Sequence, residues 1–122
     1  MIIMMPPKTS YKRGDVVLVL YPNSDLCNAK TRPAFIVQAD DLQTGLPQVI
    51  VAMITSRLFQ ADHPSRIVVR MSTPVGQYSG LLSDSVVMTD NLATVADVTL
   101  DRVIGPLPMT EVDTALRHTL HL

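Results

Sequence analysis

Apolar residues in this chain fall in short runs of strand length, separated by polar or turn-forming stretches. Residues 15–21 are continuous, short and rich in valine, the pattern of a buried strand. Residues 34–37 read as a second strand started by Pro33, where a missing N–H is tolerated. Residues 49–54 and 66–71 read as a third and a fourth. Residues 40–46 read as one short helical turn ended by Gly45. The stretch 73–80 holds Pro74, Gly76 and Gly80 and reads as a loop. Residues 85–88 and 93–95 read as short strands around a turn at Asp90 and Asn91, and 102–107 as a last strand.

The C-terminal end changes period. From Thr110, apolar residues recur at Val112, Ala115, Leu116 and Leu120, which is one face of a helix. Thr110 is placed to cap it, Glu111 and Asp113 suit its first turn, and Arg117 and His118 suit its last. Asp113 and Arg117 are spaced to pair along the helix. Many short strands and one terminal helix predict a mainly β, α+β domain: a small antiparallel barrel or sheet with the helix packed on it. The predicted division is an N-terminal arm over 1–12, where Pro6 and Pro7 block regular structure, and one domain over 13–122.

Composition narrows the class. At 122 residues with 47% apolar and 17% charged residues, the chain can build a real core and is too apolar for disorder. So few charges also leave apolar surface to hide, which favours self-association. The net charge of −1 supplies no general basic field, so contact with nucleic acid would need a local cluster of Arg and Lys. Cys27 is the only cysteine, so no internal disulfide is expected. Met1 to Met5 lack a basic flank and stop at Pro6, which is too short for a signal peptide, and no apolar run approaches membrane-spanning length. The expected compartment is the cytoplasm, with no membrane partner.

Several stretches, taken in order, resemble one family. Residues 13–19 (Arg13, Gly14, Asp15 and the valines after them), then Pro22, Ser24, Asp25, and Lys30 to Ala34 with Ile36 and Val37, resemble the first strand, first loop and second strand of MazF/PemK-like toxins. Residues 49–57, ending in Thr55, Ser56 and Arg57, are similar to their third strand and its turn. Gly80 and Leu81, Asp84 to Val87, Asp90, Thr94 and Val95, and Ile104, Gly105 and Leu107 follow in the family's order. Each piece is weak alone, but together they span roughly 13–122. The resemblance implies an SH3-like barrel, a homodimer, and a metal-independent, sequence-selective endoribonuclease of a type II toxin–antitoxin pair. It would need no cofactor. It would cleave single-stranded RNA, be restrained by a cognate antitoxin, and meet DNA only through the antitoxin complex.

The chemistry of that reaction selects residues. When a ribose 2′-OH attacks the neighbouring phosphate, charge builds on the phosphorane oxygens, and donors must be aimed there. Arg32 carries a planar fork suited to phosphate, and Pro33 restrains its backbone to an extended form. Read without the resemblance, Arg32 is better explained by an ion pair with Asp25 or Asp40, and the resemblance reverses that preference. Thr55 and Ser56 either donate hydroxyls to the scissile phosphate or close an ordinary turn at a strand end. The resemblance implies catalytic roles for Arg32 and Thr55, with Ser56 as a weaker companion. It implies RNA contacts for Ser24, Asp25, Lys30, Arg57 and Asp90. The 22–32 connection, long for a hairpin, would edge the RNA groove. Two departures leave the general acid and base unassigned: the relatives that use an acid at the Asp90 position in catalysis carry an Arg where Met88 stands, and some place a His or Glu in the first loop.

Other residues read more plainly. Asp90 also fits as a cap for the turn at Asn91. His118 and His121 fit as solvated helix-end residues with no third metal ligand, and His63 fits as a loop residue or as a base over the groove. The competing reading is a non-catalytic toxin-fold binding module or dimeric scaffold that acts on a protein partner, as the gyrase poisons of this fold do.

Overall fold

The computed structural model of the protein describes residues 10–22 and 29–122. Its strands are β1 (Asp15–Pro22), β2 (Ala29–Ile36), β3 (Gln48–Thr55), β4 (Arg66–Val69), β5 (Ser85–Ala96) and β6 (Leu100–Pro106). Two helices, α1 (Pro74–Tyr78) and α2 (Met109–Leu120), and 3₁₀ turns at Leu58–Gln60 and Asp97–Thr99 complete it. The strands form one antiparallel six-stranded sheet in the order β4-β5-β3-β2-β1-β6. The fold is mainly β with a C-terminal helix, as the sequence predicts. Among the described residues the sheet stays open, with β4 and β6 as its edges, so the barrel is not closed by a ladder.

Both faces of the sheet are covered, which explains the unbroken apolar runs. Strand β1 sends Val16 to one core with Phe35, Ala52, Ile54 and Val87, where Val112 and Leu116 of α2 pack. It sends Val17 and Val19 to the opposite core, with Ala34, Ile36, Val49 and Val51. A strand buried on both sides has no polar face to show in its sequence.

The structure corrects several boundaries. β2 begins at Ala29, and Pro33 lies inside it, paired with Leu18 of β1. The β1–β2 ladder reaches Pro22 opposite Ala29, which shortens the expected 22–32 connection to residues 23–28. Ser24, Asp25 and Cys27 fall outside the described residues, as does 1–9 of the predicted arm. The 40–46 stretch forms a turn at Asp40 and Asp41 and no helix, and Gly45 takes a positive φ of +77°. The 73–80 stretch holds α1 instead of a plain loop: the Thr73 side chain accepts from the Gly76 N–H, and Pro74 sits in the first turn.

The two short strands predicted around Asp90 are one strand, β5. Both halves pair with β3, Met88 opposite Met53 and Leu92 opposite Ala52, so 89–91 bulge out without β3 partners. The bulge is tied down elsewhere, because Thr89 donates through N–H (3.0 Å) and Oγ1 (2.5 Å) to the Ser65 carbonyl. α2 starts at Met109, one residue before the expected cap, and Thr110 lies inside it. Asp113 pairs with Arg13 (2.7 Å) rather than with Arg117. The same guanidinium donates to the Val37 carbonyl (2.9 Å), and the Arg13 N–H donates to Asp40 (2.7 Å). One arginine therefore binds the start of β1 to the 37–40 turn and to α2. No helix among the described residues is long and apolar enough to cross a membrane.

Candidate nucleic-acid interface

A split in the sheet makes the groove. The β2–β3 ladder stops at Ala34 opposite Met53. Proline has no N–H to give a ladder, and Pro33 is the next residue toward the start of β2. Beyond that point β2 stays paired with β1 as far as Ala29, while β3 stays paired with β5 as far as Thr55. The two strands separate, and a groove of about 980 Å³ opens over the gap.

Arg32 and Thr55 lie on the two strands that part at this gap. Ala34 is directly opposite Met53, and Arg32 and Thr55 each lie two residues beyond that last pair, on the same strand face as Ala34 and Met53 respectively. Both line the groove, with Ser56, Lys30 and Arg57. The predicted catalytic residues and the described predicted RNA contacts therefore meet in one place, except Asp90. The Arg32 side chain has no ion-pair or hydrogen-bond partner among the described residues, and Asp40 is engaged with Arg13.

Thr55 makes the turn with its hydroxyl and lines the groove. Its Oγ1 accepts the Arg57 N–H (3.1 Å), which is the turn at the end of β3. A hydroxyl has one proton to donate besides its lone pairs, so accepting in that turn leaves the O–H without an acceptor among the described residues. Ser56 follows it and is exposed.

Asp90 sits elsewhere. Its carboxylate accepts from Arg66 Nη2 (2.9 Å) and Nε (3.4 Å), and only its neighbour Asn91 lines the groove. The Arg66 hydrogen bond holds the Asp90 carboxyl below its ordinary value of 3.8, so it is ionised at neutral pH and carries no proton to donate. His63 is also engaged away from the groove: its Nδ1 accepts the Ser65 N–H (3.1 Å) and lies 2.6 Å from Ser65 Oγ.

The groove adds residues that the sequence reading missed. Arg102 of β6 lines it, paired with Leu18 of β1, which in turn pairs with Pro33. Gln60 and Asn91 bring amides, and Gly80, Leu81, Leu82 and Ser83 form a wall. Strand pairing across β6, β1 and β2 is the signal for Arg102, and it requires the register. Lys30, Arg32, Arg57 and Arg102 thus line one groove, and among the described residues no Asp or Glu does. These are four of the chain's ten Lys and Arg residues, so the overall charge of −1 conceals a local cationic site.

Comparison with known proteins agrees with this picture. A family model described as PemK-like, MazF-like toxin of type II toxin–antitoxin system matches residues 12–120. Among solved structures, a mycobacterial endoribonuclease in complex with its cognate antitoxin superposes with a TM-score of 0.67 at 22% identity, over 93% of this chain and 97% of that one. The Mycobacterium tuberculosis toxin MazF-mt6 gives 0.67 at 24% identity, over 88% and 97%. A MazE–MazF structure from Deinococcus radiodurans gives 0.68 at 15% identity, over 92% and 97%. At these identities the likeness is one of fold. No curated protein sequence is a significant match.

Proposed function

Because this chain belongs to the PemK-like, MazF-like toxin family of type II toxin–antitoxin systems, we propose that it is a sequence-selective endoribonuclease that cuts single-stranded RNA in the groove between β2 and β3. The observation that carries this reading is the groove itself. Among the described residues four cations and no carboxylate line it, and Arg32 and Thr55 lie just beyond the point where the ladder parts.

The 2′-oxygen attacks the adjacent phosphorus, the bond to the 5′-oxygen breaks, and a 2′,3′-cyclic phosphate and a 5′-hydroxyl result. Arg32 donates its fork to the phosphorane oxygens as their charge grows. Thr55 donates its free O–H to the same phosphate and orients it, with Ser56 beside it. Lys30, Arg57 and Arg102 hold neighbouring phosphates. Among the described residues the groove lining has no carboxylate and no imidazole, which leaves the proton transfers to water or to residues outside that set. Excess EDTA should not stop cleavage of a long unstructured RNA, and a 2′-deoxy substitution at a mapped cut site should abolish that cut. A folded protein that leaves such RNA intact would refute the reading.

Two further expectations follow. If all four cations meet phosphates, log K for single-stranded RNA should fall with log salt at a slope of about −3, from roughly −0.7 per contact. A slope near zero in a fluorescence-anisotropy titration would show that the cations do not bind the strand. The protein is also expected to be a homodimer, since its apolar composition favours burying surface between copies. Sedimentation as a monomer at micromolar concentration would remove that part. The restraining partner is a cognate antitoxin, whose acidic segment, disordered when free, would complement the same cations.

A further inference from the structure

Phosphate contacts position a strand but carry no sequence information, so the four cations leave base choice unexplained. Two amide side chains line the groove, Gln60 from the Leu58–Gln60 turn and Asn91 from the β5 bulge. Neither amide has a hydrogen-bond partner among the described residues. Each offers a carbonyl acceptor beside an NH2 donor, the arrangement that pairs with the edge of a base.

Their positions share one support. Arg66 Nη1 donates to the backbone carbonyl of Gln60 (2.8 Å), and its Nε and Nη2 donate to Asp90, the residue before Asn91. Arg66 itself does not line the groove. The bulge that carries Asn91 has no β3 partner, so this guanidinium and the Thr89 bonds to Ser65 fix it in place of a ladder.

We propose that Gln60 and Asn91 are the base-reading edge of the groove and that Arg66, through Gln60 and Asp90, is the positioning residue that sets both. The base is one whose edge sets a donor beside an acceptor, adenine foremost, since adenine's N6 and N7 are the customary partners of such amides. Single-stranded RNA leaves that edge free. This inference rests on the ribonuclease reading above.

The test maps cut sites on a long mixed-sequence RNA by sequencing the new 5′ ends, for the parent and for Asn91→Ala, Gln60→Ala and Arg66→Ala. The parent should show an adenine bias at one position near the cut. Each variant should reduce that bias roughly fivefold or more, the range for one good amide–base pair. Asn91→Asp, which keeps the size and removes the NH2 donor, should do the same, and thermal melts establish that each variant is folded. A role of Arg66 in stability alone would lower cutting at all sites evenly and leave the bias unchanged. An unchanged bias in folded Asn91→Ala and Gln60→Ala would overturn the inference while the ribonuclease reading stands. If the folded parent makes no cuts, the ribonuclease reading fails. Binding of adenine, cytosine, guanine and uracil heptamers then decides the inference: a parent preference for adenine lost in the variants upholds it, and equal binding overturns it.

Discussion

Replacing Arg32 with alanine is expected to lower the rate of RNA cleavage by about 10² or more, the usual cost of losing a donor aimed at developing charge. The side chain is exposed and has no partner among the described residues, so little of its energy is committed to the fold. The unfolding free energy should accordingly change by no more than about 0.5 kcal/mol. That combination separates a catalytic arginine from a structural one. Arg32→Lys is not expected to restore the rate, because an ammonium is a point charge and cannot span two phosphorane oxygens. Binding of intact RNA should weaken only modestly, since Lys30, Arg57 and Arg102 remain in the groove. A fall of less than twofold in cleavage, with the protein folded, would take Arg32 out of the site. A large fall in cleavage with an equal fall in melting temperature would mean that the residue supports the fold instead.

The position of Arg32 shows what could be read from the chain and what could not. Its chemistry was legible, because a guanidinium beside a proline is a fork on a restrained backbone. The ordered stretches around it also resembled a known family. Its setting was not legible. Pro33 reads as the start of a strand, yet β2 runs four residues further back because the ladder to β1 does not need its N–H. The groove exists because the other ladder, to β3, ends there. Arg102 could not be found for the same reason: it joins the site through pairing across two strands that are distant in sequence.

The helix α1 was missed for a different cause. Pro74 and Gly76 read as loop residues, although a Thr followed by a Pro is also a helix start. Asp90 shows a competition between local and tertiary partners. A short turn needs a cap, and the sequence offers this carboxylate for it. The β5 bulge instead delivers it to Arg66, which lies on the neighbouring strand β4. Asp113 was likewise matched to the nearest arginine along its helix, while Arg13, a hundred residues away in sequence, holds it. The net charge misleads most simply, since a whole-chain sum cannot report that four cations share one groove with no acid among its described residues.

The wall of that groove depends on Gly80, and Gly80→Ala is expected to destabilise the protein by roughly 2–5 kcal/mol. Gly80 has a φ of +78°, and a Cβ built there would overlap the Ile104 carbonyl oxygen and lie 2.6 Å from its carbon. Both are backbone atoms of β6, so no side chain can rotate away. Gly105 in β6 is held against Tyr78 and Ser79 in the same manner, which shows that the segment after α1 lies directly on the β6 backbone. Relief would require lifting the segment that carries Leu81 and Leu82, and Leu81 is part of the core beneath α2. Gly45→Ala is the control. Gly45 has nearly the same φ, +77°, but open space around it, so it should lose only the roughly 1–2 kcal/mol of a left-handed backbone. Chemical denaturation of the two variants isolates the overlap as the difference between them. If Gly80→Ala is no less stable than Gly45→Ala, the segment yields easily and is not clamped on β6. If it is several kcal/mol worse, RNA cleavage by the folded fraction should also fall, because the wall at Leu82 and Ser83 has moved.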